Sequence, residues 1–468
     1  MRESAKNLFI LVILEVLTVF EAAKAILQAT GVLHSNNVVF AITGSFRNPG
    51  PLGGFIAMGM SAACAYLAIN RRWNNLNFNR KLIYLLSVAT FSLGVIILPA
   101  TMSRAGWLAF GVAAIILAFK ELKLGKWLMS HKTVTSFSAI IVLSLCLLAF
   151  KLKPDSALGR IHIWHMECRS IAEKPWAGHG NVLGAYGATQ ARYFMEKERS
   201  ETIVQLAGSP EYAFNEYLKA GVERGLPAMV FFFAITVTAI VILDRKNSPI
   251  AYALIALSVF AFFSYPLSLW QFVLVIGLIL CSIVDGMAVV IACTSVAIML
   301  APGARERMEA EKTWKAMKSY TLSESYAEQA EELKHLHAQL RKNYRYLYDL
   351  GYALHRSGNY AESNVFLSEG AAISADPMFH DIMGKNYEAL EEYDEAEREY
   401  TLAHYMVPCR LYPHILLMEM HVRLGQRELA IQQARHALAL PVRSGHIAME
   451  GLHERAKACL DSLIAHAP

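Results

Sequence analysis

Three arginines stand at positions where chemistry could be done. Arg47 lies in Gly44-Ser45-Phe46-Arg47-Asn48-Pro49, directly before one apolar stretch, and Arg104 lies in Ser103-Arg104-Ala105-Gly106-Trp107, directly before another. An arginine beside the first N–H groups of a helix makes an anion site, because a helix start carries partial positive charge and unpaired donors. Arg160 opens a third segment, Gly159-Arg160-Ile161-His162-Ile163-Trp164-His165, in which Arg160 and Trp164 share a helical face. That region continues through Glu173-Lys174-Pro175-Trp176-Ala177-Gly178-His179-Gly180. It closes with Tyr212-Ala213-Phe214-Asn215-Glu216-Tyr217-Leu218 and Glu223-Arg224-Gly225, with Asn215 and Lys219 on one face. None of these segments has an Asp-x-Asp pair or a His/Asp cluster spaced for a divalent ion, so no metal or other cofactor is expected.

The elements that must position these residues are membrane helices. The chain has 468 residues, 55% of them hydrophobic and only 18% charged, which excludes a disordered, fibrous or ordinary soluble protein. A membrane-crossing helix needs about 20 mostly apolar residues. The stretches 51–69, 82–100, 105–119, 133–150, 226–243, 250–267 and 269–284 qualify, with 287–300 as a shorter eighth. The stretch 8–27 is interrupted by Glu15, Glu21 and Lys24 and reads as a helix packed on the bundle or an uncleaved signal-anchor.

Lys and Arg near span ends stay in the cytoplasm. Arg71, Arg72, Arg80 and Lys81 therefore mark one cytoplasmic loop, and Lys120, Lys123, Lys126 and Lys132 another. Alternation then puts 35–49, 99–104 and the long segment 151–224 together on the outer face. In that long segment Trp164, Trp176, Tyr186, Tyr193 and Phe194 argue for order. The basic residues sit at span ends, which gives nucleic-acid binding no support.

Charge changes sign along the chain: residues 1–300 hold 25 Lys and Arg against 15 Asp and Glu, and 301–468 hold 19 against 24. From about Tyr320 the pattern becomes helical and periodic. Gly351 and Gly384 are 33 apart, as are Tyr360 and Tyr393, and Ala396 and Ala430 are 34 apart. This is tetratricopeptide spacing, in which stacked helix pairs bury a core that one pair cannot. The expected organisation is a membrane domain over 1–302 with its loop at about 151–225, then a repeat domain over 320–466 suited to protein contact or substrate positioning. The seven cysteines show no CxxC or zinc spacing.

The ordered set of segments resembles the O-antigen ligase and polymerase family. Its marks here are Gly-x-Phe-x-Asn-Pro before a span, Ser-Arg-x-x-Trp before another, and a large periplasmic loop that opens Arg-x-x-x-Trp. The loop continues to the Pro175–Gly180 turn and ends in Asn215-Glu216-Tyr217-Leu218 and Glu-x-Gly. The details Gly178-His179-Gly180, Gln190-Ala191-Arg192-Tyr193-Phe194 and Ala213-Phe214-Asn215-Glu216 look like its Bacteroidota branch.

The resemblance implies an all-α protein built on a polytopic bundle of the bacterial inner membrane with a periplasmic loop; the repeat spacing adds an α-solenoid of about three tetratricopeptide-like repeats, which a last span at 287–300 would put on the periplasmic side too. It implies a metal-independent, inverting glycosyltransferase. Such an enzyme moves a glycan from undecaprenyl pyrophosphate to a hydroxyl of lipid A core, a protein or another glycan. Arg47, Arg104 and Arg160 would clamp the pyrophosphate, since guanidinium forks pair with phosphate oxygens. Asn48, Trp164, Arg192 and Asn215 would help bind substrate.

Two departures stand out. Where family members often carry the His proposed as general base, this chain has Phe214, which cannot take a proton. His179 is then the first substitute, followed by Glu216 and His165. Family members also carry several spans before the Asn-Pro segment, whereas one fits before Asn48. Polymerase chemistry is the alternative within the same fold, and a membrane-anchored tetratricopeptide scaffold without activity is the alternative outside it.

Overall fold

A computed structural model describes residues 5–121, 154–283, 303–317, 326–440 and 447–465. Among them the regular structure is helical. The spans expected at 133–150 and 287–300 lie outside the described residues. The first helices are α1 (Ala5–Ala29), α2 (Pro49–Ile69), α3 (Phe78–Ala100), α4 (Arg104–Glu121), α5 (Pro154–Glu173) and α6 (Val182–Glu196). There follow α7 (Glu201–Leu206), α8 (Glu216–Arg224), α9 (Leu226–Arg245), α10 (Ile250–Phe263) and α11 (Trp270–Ile283). The chain divides into two compact units that do not follow its linear order. One comprises Met1–Ala157, Ala213–Gly221 and Leu226–Val296; the other comprises Leu158–Tyr212, Val222–Gly225 and Ala297–Pro468.

The first unit is the apolar one. Among the described residues α2, α3 and α9 are long and apolar enough to cross a membrane, and α10 and α11 are shorter apolar helices. The stretch expected to run from 250 to 267 as one span stops at Phe263, because Ser264 is extended and Pro266 opens a tight turn. Small residues make α2 the central helix. A Cβ on Gly53 would collide with Ser103, one on Gly54 with Phe260, and one on Gly59 with Thr18 of α1. Close backbone approach of this kind is how helices associate in lipid, where no hydrophobic drive separates helix from solvent. By contrast α3 and α9 expose Leu85, Val95, Ile96, Val230, Phe231 and Phe233, a surface that suits acyl chains. Glu15 is buried in α1 and accepts a hydrogen bond from Ser87 Oγ at 2.6 Å, which accounts for one charge interrupting the first apolar stretch.

The second unit joins the long segment to the C-terminal helices. Those are α12 (Tyr326–Lys334), α13 (Tyr344–Arg356), α14 (Tyr360–Ala371), α15 (Met378–Ala389), α16 (Tyr393–Met406), α17 (Tyr412–Arg423), α18 (Arg427–Ala439) and α19 (Ile447–Ala465). From α13 onward each packs on the next. Gly351 meets Leu367 and Gly384 meets Tyr400 where a larger residue would clash, so the glycines spaced 33 apart are helix contact points.

Helix α6 from the long segment lies against α16. A Cβ on Gly184 would collide with the carbonyl of Ala372, and one on Gly187 would stand 2.7 Å from Met406 Cε. Ala191 is buried with Met406 and Val407. Gln190 Nε2 donates to the carbonyls of Met406 and, at 3.0 Å, Gly208. Met166, Tyr186, Phe194 and Ala375 share a core, and Arg345 pairs with Glu211 at 2.5 Å. The long segment is therefore packed on helices that lie more than 130 residues further along the chain.

Gly184→Leu should break this docking, at a cost of about 1–3 kcal/mol for forcing a side chain into a filled interface. Limited proteolysis of the solubilised protein should show faster cleavage within 197–212. An unchanged digestion pattern would contradict the docking.

Candidate functional site

At one end of the first unit, the segments carrying Arg47 and Arg104 meet. Asn48 caps α2, its Oδ1 accepting from Gly50 N at 2.8 Å. Ser103 caps α4 by accepting from Gly106 N at 3.2 Å, and its hydroxyl donates to Gly50 O at 3.0 Å. One serine thus ties the two helix starts together. Glycine at 53 and 106 permits the contact, since a Cβ on Gly106 would stand 2.7 Å from the Gly53 carbonyl. Arg47 is exposed and Arg104 half-buried.

One expectation is corrected here. The first turn of α2 was expected to lend N–H groups to an anion, but Pro49 and Pro51 have none and Gly50 gives its own to Asn48. Positive charge at that start has to come from Arg47 itself.

The residue before Arg47 is an aromatic anchor. Phe46 is buried against Phe55 and Phe272, each with its ring centroid 5.9 Å away, and Phe260 stacks on Phe272 at 5.7 Å. Asn36 Nδ2 donates to Phe46 O at 3.1 Å and Asn37 Nδ2 to Arg47 O at 3.0 Å. The backbone at Arg47 is held while its side chain reaches outward.

Asn215 and Glu216 lie in the same unit. Asn215 is buried and caps α8, its Oδ1 accepting from Tyr217 N and Leu218 N, both at 3.0 Å. Glu216 is buried too. Its Oε1 accepts from Leu267 N at 2.7 Å, and its Oε2 lies 3.8 Å from Lys219 Nζ. Glu216 braces the turn between α10 and α11. Phe214 has a left-handed backbone, φ 54°, and sets its ring edge-on to Tyr265 at 5.5 Å.

The remaining candidates belong to the second unit. Arg160 and Trp164 sit one turn apart on α5, both half-buried. His162 is buried, bonded through Nε2 to Gln190 Oε1 at 2.8 Å, and desolvation by burial lowers its pKa, which favours the neutral ring. His165 is exposed, its ring 5.5 Å from that of Tyr193.

His179 has its turn pinned: its N donates to Val222 O at 2.7 Å and Gly180 N to Glu223 O at 3.0 Å. A Cβ on Gly178 would stand 2.5 Å from Arg224 N, and one on Gly225 the same distance from Trp176 O. This explains why the Gly-x-Gly turn and the Glu-x-Gly ending occur together. His179 Nε2 lies 2.8 Å from Ser170 O, which can only accept, so Nε2 is the donor, and in the neutral ring this tautomer leaves the lone pair on Nδ1. Ser170 Oγ contacts Thr189 Oγ1 at 2.9 Å, and Arg192 bonds Thr189 Oγ1 at 3.1 Å and Glu173 at 2.5 Å. His179 and Arg192 therefore belong to one polar network.

Sequence reasoning missed Glu167. It is buried on α5 with neither carboxylate oxygen hydrogen-bonded, and burial holds its pKa well above the usual carboxylate range. An acid one helical turn after Ile163 and Trp164 and one before Ile171 was the available signal. Among the described residues no group of three or more His, Cys, Asp or Glu is placed to hold a metal ion.

Residues 89–233 match the family model described as O-antigen ligase. That region of just under a third of the chain contains Arg104, Arg160, Trp164, His179, Arg192, Asn215 and Glu216, while Arg47 and Asn48 precede it. No curated protein matches the chain. Apolar helices of membrane-crossing length, together with this match over residues 89–233, make the chain similar in that region to O-antigen ligases.

Asn215→Ala should remove the α8 cap and cost about 1 kcal/mol. It should lower the thermal unfolding midpoint of the purified protein by a few degrees, and Asn215→Asp should recover most of the loss. Equal midpoints for the wild type and the alanine variant would contradict the capping role.

Proposed function

We propose that the protein transfers a glycan from undecaprenyl pyrophosphate to a hydroxyl acceptor, with inversion and without a metal. The observation that carries this reading is the contact of two helix starts, each bearing an arginine, through Ser103 and Gly50. In such a transfer the acceptor oxygen bonds to the anomeric carbon as the bond to the pyrophosphate oxygen breaks. Negative charge grows on the departing diphosphate, and fixed guanidinium groups stabilise it as it forms. Arg47 and Arg104 take that role, and the resemblance assigns Arg160 to the same headgroup. For the hydroxyl proton the sequence offers His179, and with Nε2 bonded to Ser170 O its Nδ1 is the nitrogen that would take it.

The C-terminal helices, read as tetratricopeptide-like repeats, present the acceptor. The core these helices share with segment 158–212 supports assigning both to one side of the bilayer, and the cationic 71–81 loop, by the positive-inside rule, supports taking the opposite side as cytoplasmic. That side is the periplasmic face of the inner membrane. Ligase activity is favoured over polymerase activity because the helical array offers surface for a protein or lipid acceptor. Phe214, packed on Tyr265 where a base would stand, favours one competing reading, a membrane-anchored scaffold without catalysis.

In a deletion strain Arg104→Ala and Arg160→Ala should each lower glycan transfer about 100-fold or more while the protein still inserts into the membrane. Lysine at either position should recover only part of the activity, since an ammonium lacks the guanidinium fork. Normal lipopolysaccharide and glycoprotein profiles with both alanine variants would leave the scaffold reading in place.

A further inference from the structure

The loop that presents Arg47 is held by polar side chains reaching from α1. Gln28 is buried; its Oε1 accepts from Thr43 N at 2.9 Å and Gly44 N at 2.7 Å, and its Nε2 donates to Gly44 O at 3.0 Å. One helical turn or two earlier, Lys24 Nζ donates to Ser45 Oγ at 3.1 Å, and buried Glu21 accepts from Ser45 N at 2.8 Å. Residues 21, 24 and 28 fall on one helical face. Two side chains therefore take up three consecutive backbone N–H groups, those of 43, 44 and 45.

The fit is tight. Gly44 has φ +58°, and a Cβ there would stand 2.5 Å from Glu21 Oε2. Directly after the clamped residues come Phe46, seated in its aromatic cluster, and Arg47. Polar and charged groups on a bundle-facing helix are costly to keep, and here their hydrogen-bonding capacity is directed at one loop.

We propose that Gln28, supported by Glu21, is a positioning residue for the donor diphosphate, acting through Arg47. The inference rests on the reading of Arg47 as a diphosphate ligand and adds the device that orders it. With the 43–45 backbone clamped before binding, the guanidinium meets the diphosphate without first ordering its loop, and misplacement of a binding group by about 1 Å can cost 100-fold. Gln28→Leu removes every bond at similar volume. Gln28→Glu keeps the acceptor for Thr43 N and Gly44 N and loses the donor to Gly44 O.

The test uses the purified full-length enzyme in nanodiscs, with a synthetic undecaprenyl-pyrophosphate-linked oligosaccharide as donor. Gln28→Leu should raise the donor KM about tenfold or more, leave the acceptor KM unchanged, and be partly rescued by Gln28→Glu. Glu21→Leu should act in the same direction, with Glu21→Gln as its rescue. The double variant Gln28→Leu/Arg47→Ala should be no worse than Arg47→Ala, because residues acting through one contact are not additive.

Additive losses, or equal rises in the KM for donor and acceptor, would overturn the positioning role while leaving the function intact. An unchanged donor KM in Arg47→Ala would instead overturn the role of Arg47, and with it this inference.

Discussion

A diphosphate leaving at a membrane surface needs cations whose positions are set before it departs. Water is a poor partner there, and a flexible arginine would have to lose its own freedom at the moment of reaction. The proposed transfer would place that requirement on the first unit. Ser103 links the starts of α2 and α4, glycines at 53 and 106 bring their backbones into contact, and Phe46 anchors the residue before Arg47. Each is a local device, and all act on segments that carry an arginine.

The same economy of contacts shapes the second unit. A segment of more than 50 residues between membrane helices has little surface of its own to bury and is marginal by itself. Here it borrows a core from the C-terminal helices: Gly187 and Ala191 of α6 lie on the end of α16, Gly184 meets Ala372 just past α14, and Gln190 donates to Gly208 O within the segment and to Met406 O of α16. The C-terminal helices therefore do more than extend the protein, because the segment bearing Arg160, His179 and Arg192 is folded against them.

Much of this was legible in the sequence, for physical reasons. Long apolar runs announce membrane helices because the bilayer sets their length, as in α2, α3 and α9. Asn48 before proline and Asn215 before Glu216 are helix starts, since Asn caps without regard to distant context. Glycines 33 apart mark helix contacts because only a small residue fits where Gly384 meets Tyr400.

What was hidden depends on distance or on counting donors. Gln28 lies just past the apolar stretch 8–27, and nothing nearby in the chain signals its bonds to residues 43 and 44. The pairing of Gly184 with Ala372 spans nearly 190 residues. The anion site at α2 was over-read because proline at 49 and 51 removes the N–H groups a helix start would otherwise offer. Glu216, considered as a base, turned out to spend one oxygen on the main chain at Leu267.

The most direct measurement is the equilibrium affinity of the purified protein in nanodiscs for undecaprenyl pyrophosphate, with undecaprenyl monophosphate as the comparison. It should be made on the wild type and on the double variant Arg47→Ala/Arg104→Ala. Two charge-assisted contacts of about 1.5–3 kcal/mol each correspond to at least about 100-fold weaker binding of the diphosphate, with little change for the monophosphate. Equal affinity of the two proteins for the diphosphate would contradict the arginine clamp.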